Sequence, residues 1–144
     1  MQNKTGLSLL EDVFINNYYN KIDFIKMIFS KEQINQLNSI TNLNQLLIDL
    51  KQLLEQQKVI NQNKISDYYL QLKQTNKKIL NKLWLWWLLP VIGMFIFFII
   101  YNNRLQNPYY ANQLVDIKVK ITDLEVKNIY ITKLIDEILN NNQD

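Results

Sequence analysis

The apolar positions of this chain fall into stripes at helical spacing along most of its length. Leu10, Phe14, Tyr18, Ile22, Ile25 and Phe29 recur at intervals of three or four residues, which places them on one face of a helix. Ser8 followed by Glu11 reads as a capping box, each side chain satisfying a free backbone donor at a helix start, and Ser30 with Gln33 repeats the pattern. One helix is expected to end near Phe29 and a second to start at Lys31, although no glycine or proline marks the junction. The second carries Ile40, Leu43, Leu47, Leu50 and Leu54, with Leu46, Leu53 and Ile60 beside them. That face is wider than a two-stranded seam and suits packing against two neighbours. Gln52, Gln56, Gln57 and Asn61 fill the opposite, solvated face.

After the polar interruption INQNK a third stripe begins, with Ile65, Tyr68, Tyr69, Leu72, Ile79, Leu80 and Leu83. It runs in phase into LWLWWLLPVIGMFIFFIIY, residues 83–101, and no turn residue intervenes before Pro90. The pattern therefore predicts one long helix over residues 64–102. The segment 83–101 has 19 residues without a charge, Asn or Gln; as a helix it would reach roughly 28 Å, close to a hydrocarbon core of about 30 Å. Buried helices of soluble proteins seldom run so long without a polar face, and a signal peptide would lie at the N-terminus. Trp84, Trp86 and Trp87 at one end and Tyr101 at the other match the aromatic belts of the two interfaces. Lys77, Lys78 and Lys82 before the run and Arg104 after it are placed to meet lipid headgroups. Pro90 and Gly93 predict a kink, since neighbouring helices in a membrane take up the carbonyl that proline frees. A sharper reading makes Gly93 a point of close helix packing, but it has no second small residue four away.

Asn107-Pro108 then offers a good N-cap followed by the one helical position that welcomes proline. Two patterns overlap beyond it. Residues 115–122 alternate apolar and polar and are rich in β-branched side chains, a strand signature. Over a longer window Leu114, Ile117, Ile121, Leu124, Asn128, Ile131, Ile135 and Ile138 form a heptad seam. Asn128 sits at an a position, where a lone Asn often fixes register and partner number, and in a parallel pair Lys120 would face Glu125 of the other chain. An isolated strand would need a partner that the chain does not offer, so a helix is expected. Val115, Val119, Val126 and Ile129 lie off the seam, which predicts packing on two sides.

Charge adds an orientation. Residues 1–82 carry 11 Lys against 7 acids and residues 102–144 carry 5 basic against 6 acidic side chains. The positive-inside tendency then puts the longer N-terminal part on the cytoplasmic or matrix side. Composition adds a genome: Phe, Tyr, Met, Ile, Asn and Lys, whose codons are AT-rich, fill 72 of 144 positions, whereas Gly, Ala, Arg and Pro total 6. In this composition, in size and in its one apolar segment, the chain resembles the small membrane proteins encoded in ciliate mitochondrial DNA. The resemblance implies a divergent subunit of a respiratory complex or of ATP synthase, and carries no functional residue with it. The start MQNKTGLSLLEDVF lacks the Arg-rich, acid-poor character of an import signal. That is expected of an organelle-encoded protein and equally of a bacterial one.

Chemistry is sparse. The chain has no Cys and no His, which removes disulfides, thiolate and imidazole metal ligands and the usual general base. Two glycines leave no phosphate-binding loop. The adjacent acids Glu11-Asp12 and Asp136-Glu137 lie on amphipathic helices, where solvated surface or cap charge is the better reading. Residues 83–101 have no ionisable side chain at membrane depth for an ion path. The lysines of 73–82 are too sparse, and too poor in interleaved aromatics, for nucleic acid.

The expectation is an all-α, single-pass membrane protein: a helical pair over 1–63, a stalk over 64–82, a transmembrane helix over 83–101 and a heptad helix over 102–144. It is expected to be no enzyme, to hold no cofactor beyond structural lipid, and to bind no nucleic acid or small-molecule substrate. Its partners would be other membrane-protein subunits in the mitochondrial inner membrane. Leu47, Leu50, Leu54, Ile121, Leu124 and Asn128 are the expected helix–helix contacts. The alternative is a bacterial plasma-membrane protein with a coiled-coil tether, its N-terminal part cytoplasmic, similar in topology to the small division-septum proteins.

Overall fold

The computed structural model describes residues 4–14, 16–83, 85 and 92–141. Among these the regular structure is helical throughout, with no strand. A 3-10 helix, Gly6–Glu11, comes first. Then follow α1 (Tyr18–Ile28), α2 (Lys31–Asn38), α3 (Leu43–Leu80), α4 (Ile92–Leu105) and α5 (Pro108–Asn141).

Three of the starts have local causes. Ser30 Oγ accepts from the Gln33 N–H at 3.3 Å while Gln33 Oε1 accepts from the Ser30 N–H at 2.9 Å, so the capping box read at Ser30 opens α2. Asn42 Oδ1 accepts from the Asn44 N–H at 2.9 Å, and Asn107 Oδ1 accepts from the Tyr109 N–H at 3.0 Å. These short side chains satisfy donors that the first turns of α3 and α5 leave open. Residues 115–122 lie inside α5. The heptad window, and not the short alternation, decides their conformation.

Four boundaries differ from the sequence reading. Ser8 does not open an α-helix: it lies within the 3-10 helix and accepts from the Thr5 N–H at 3.0 Å, while Glu11 pairs with Lys4 at 3.0 Å. The helix expected from Lys31 through Ile60 breaks after Asn38, because Gly6 reaches back to that turn. The Gly6 N–H donates to Ile40 O at 2.8 Å and the Leu7 N–H to Asn38 Oδ1 at 3.2 Å. Conversely INQNK does not interrupt α3, since Gln62, Asn63 and Lys64 face solvent and no glycine or proline stops the ladder. Finally, the helix expected over 64–102 ends at Leu80. Residues 81 and 82 turn, with Lys82 in the left-handed region at φ 62.

The chain forms two compact units, Met1–Ile60 with Lys127–Asp144, and Asn61–Val126. In the first, the 3-10 helix, α1 and α2 pack with the first part of α3 and the last part of α5. Leu10, Ile25, Leu37, Leu46, Leu50, Leu54, Ile131 and Ile138 are fully buried in one cluster. Each such side chain stabilises by about 1.5–3 kcal/mol relative to leaving it in water. Lys21 is buried at the edge of this core, its Nζ 2.6 Å from Glu137 and 5.1 Å from the centre of the Phe14 ring. In the second unit Ile79, Leu83, Ile117 and Ile121 are buried, with Thr75 and Asn61.

Candidate functional site

The site is the end of the second unit at which α3 stops and α4 returns. Polar partners there are few and specific. Arg104, in the last turn of α4, donates from Nη1 to the carbonyl oxygens of Ile79 at 2.7 Å and Asn81 at 2.9 Å. These belong to the last turn of α3 and the turn after it, where helical carbonyls lack intrahelical donors and the helix dipole favours a cation. Lys77 and Lys78 stand exposed in that last turn, with Lys82 exposed just beyond.

Away from this point the flanks stay paired. The Tyr69 hydroxyl donates to Glu125 Oε1 at 3.4 Å, and Lys120 Nζ lies 5.9 Å from the centre of the Tyr68 ring. Thr75 and Lys78 share a groove with Gln113, Asp116 and Ile117. Later residues of α3 thus meet earlier residues of α5, so within this unit the two run antiparallel. Lys120 also pairs with Asp116 at 2.6 Å, and this hydrogen-bonded carboxylate raises the lysine pKa. Lys120 and Glu125, expected to face each other between two chains, are both engaged within one.

α4 is apolar on nearly every side until its last turn. Ile92 and Phe95 are each 69 % exposed, Ile99 60 % and Phe98 55 %, with Met94 also exposed. Tyr101 is half-buried, its ring stacked on Phe97 with centroids 5.9 Å apart. Such a concentration of exposed apolar surface marks an interaction site on a protein. Gly93 is buried at the second residue of α4. Trp84, Trp86, Trp87 and Pro90, with the aromatic belt and the kink read from them, lie outside the described residues. Among the described residues no helix is long and apolar enough to cross a membrane. The 14 residues of α4 reach roughly 21 Å, so among the described residues the single-span expectation has no helix to carry it.

The expected helix–helix residues divide between the units. Leu47, Leu50 and Leu54 are buried in the core of the first, in one cluster with Ile131, Leu134 and Ile138. Asn128 belongs to the same unit and is half-buried, its carbonyl accepting from Thr132 Oγ1 at 2.9 Å. Ile121 is buried and Leu124 half-buried in the second unit. The heptad seam is largely covered by the chain itself. What stays open is the other side of α5, where Val115, Val119, Val126 and Ile129 are 59–61 % exposed. At about 100° per residue these four lie opposite the seam.

Sequence reasoning saw Arg104 as a headgroup cation and missed its capping role. The turn at Lys82 carries neither glycine nor proline, so nothing in the pattern marked a return. Lys21 and Glu137, 116 residues apart, gave no signal either. Among the described residues there is no group of three or more acids that could hold a metal ion. No family model, curated protein or solved structure matches the chain, so the functional reading rests on its own residues.

Proposed function

We propose that this chain is a non-catalytic structural subunit of a large energy-transducing complex, respiratory or ATP synthase, in the inner membrane of an AT-rich mitochondrion. Residues 83–101 supply its membrane-embedded part, and the helical N-terminal part lies on the matrix side. The observation that carries this reading is the open stripe of Val115, Val119, Val126 and Ile129 along α5. Its position opposite a seam that is already covered suits a helix held between its own chain and a neighbouring subunit. The bacterial tether would need the seam for a second copy, yet Ile131, Leu134 and Ile138 are buried in the first unit and Ile117 and Ile121 in the second. A photocrosslinking residue placed at Val119 tests the reading in intact membranes. A crosslink to a different membrane protein is expected; a crosslink solely to another copy of this chain, or none, would overturn it.

A further inference from the structure

The chain before and the chain after residues 83–101 lie together in the second unit. Ile79 and Arg104 are 25 residues apart and hydrogen-bonded. A straight helix between them would separate their backbones by roughly 37 Å. The chain therefore turns round between the end of α3 and the end of α4, and the flanks then run back together. Tyr69 with Glu125, Lys120 with Tyr68, and Thr75 beside Ile117 all join α3 to α5 within this unit. A straight crossing would put these partners on opposite sides of about 30 Å of hydrocarbon.

Two further features say what covers the exposed apolar face of α4. Every charge between Asp67 and Asp116 is basic: Lys73, Lys77, Lys78, Lys82 and Arg104. The exposed Lys77, Lys78 and Lys82 directly precede the apolar run in the sequence, and Lys78 shares a groove with Asp116. Cations beside an apolar insert are the complement of an anionic lipid surface. The apolar part of α4, from Ile92 to Tyr101, rises roughly 15 Å, the depth of about one leaflet. The polar Asn102, Asn103 and Arg104 follow immediately, as at a headgroup boundary.

We infer that this unit enters an anionic bilayer from one face and leaves by the same face. α4 dips into the acyl region of one leaflet, Lys77, Lys78 and Lys82 meet phosphate headgroups, and the α3 and α5 flanks stay on the same side. The inference rests on the membrane placement proposed above and replaces a single crossing with a hairpin. It also places α5 on the matrix side with α3.

The absence of cysteine from the sequence makes the test direct. The full chain carrying both Ser66→Cys and Thr122→Cys, at exposed positions on the two flanks, is reconstituted into sealed vesicles of phosphatidylcholine and phosphatidylglycerol. Vesicles recovered by flotation are treated with a membrane-impermeant polyethylene-glycol maleimide, and each single variant in detergent establishes that its thiol reacts. The hairpin predicts chains with two adducts or none, whatever the orientation of insertion. Chains with one adduct, gaining the second only in detergent, would overturn the hairpin while leaving the membrane placement standing. Failure to float would overturn both. Lys77→Gln with Lys78→Gln is expected to weaken partitioning into these vesicles roughly twentyfold, about fivefold for each lysine. Unchanged partitioning would overturn the headgroup assignment and favour a protein partner on α4.

Discussion

Arg104 Nη1 donates to the carbonyl oxygen of Ile79 at 2.7 Å, so the charge at the end of α4 closes the end of α3. The cap does two things at once. It satisfies a carbonyl for which the helix has no donor, and it brings the end of α4 against the end of α3. Arg104→Ala is expected to cost about 1.5–3 kcal/mol, the range for hydrogen bonds to a charged group. Arg104→Lys should recover only part of this, because the shorter lysine side chain must carry its ammonium to the point from which Nη1 alone donates to both Ile79 and Asn81. Hydrogen–deuterium exchange over the last turn of α3 checks it: exchange should quicken there and stay unchanged in the first unit.

Lys21 and Glu137 make a second long-range pair, with the lysine side chain 11 % exposed and the carboxylate 41 %. Glu137→Gln removes the charge opposite a buried ammonium and leaves it an amide oxygen and the Phe14 ring. The half-open carboxylate side discounts the cost to about 1–3 kcal/mol, below that of breaking a fully buried pair. Lys21→Met combined with Glu137→Gln should regain most of that loss, since an apolar side chain of similar length suits the site. A double-mutant cycle by urea unfolding measures the coupling; additive losses would contradict it.

Gly6 has φ 58, and a Cβ there would collide with the backbone of Asn38. The left-handed conformation alone costs an L-residue roughly 1–2 kcal/mol, and the collision adds to it. Gly6→Ala is expected to lower the melting temperature and to expose the 3-10 helix to limited proteolysis, because the bonds to Ile40 and Asn38 cannot both persist.

Alkaline pH should loosen the first unit through Tyr18. Its hydroxyl donates to Leu7 O at 3.1 Å, and burial, with the Glu11 charge second, raises its pKa above the ordinary value of 10.0. A raised pKa means that the folded state holds the proton more tightly. Tyr18's contribution is therefore complete below the unfolded pKa and is lost as pH rises through the folded one. Tyr18→Phe should destabilise the protein at neutral pH by about 0.5–1.5 kcal/mol, the net worth of one hydrogen bond. Above the folded pKa the wild type should fall toward the variant, which urea midpoints of the two proteins across pH would show.

What could be read from the sequence was local. The Ser30–Gln33 cap and the Asn107-Pro108 start need only residues within one turn of each other, and both stand where the pattern put them. The heptad over α5 was legible because a period sustained over many residues outweighs a short alternation. The breaks were less so. Asn38 ends α2 through contacts with Gly6 and Leu7, more than thirty residues earlier in the chain, and spacing alone has no access to such pairs. The end of α3 at Leu80 was hidden for a similar reason: an uninterrupted apolar run gives no sign of the turn at 81 and 82, and the contacts that join the two flanks lie 23 to 56 residues apart. At the candidate site the lysines and Arg104 were visible as charges, but not the bonds that bring Arg104 to the end of α3.

Native electrophoresis of gently solubilised source membranes, with mass spectrometry along the gel, asks whether this chain works as a structural part of a large membrane complex. The chain is expected to migrate with an assembly of several hundred kilodaltons or more, beside other membrane subunits. Migration as a small homo-oligomer, or recovery away from the membrane fraction, would contradict it.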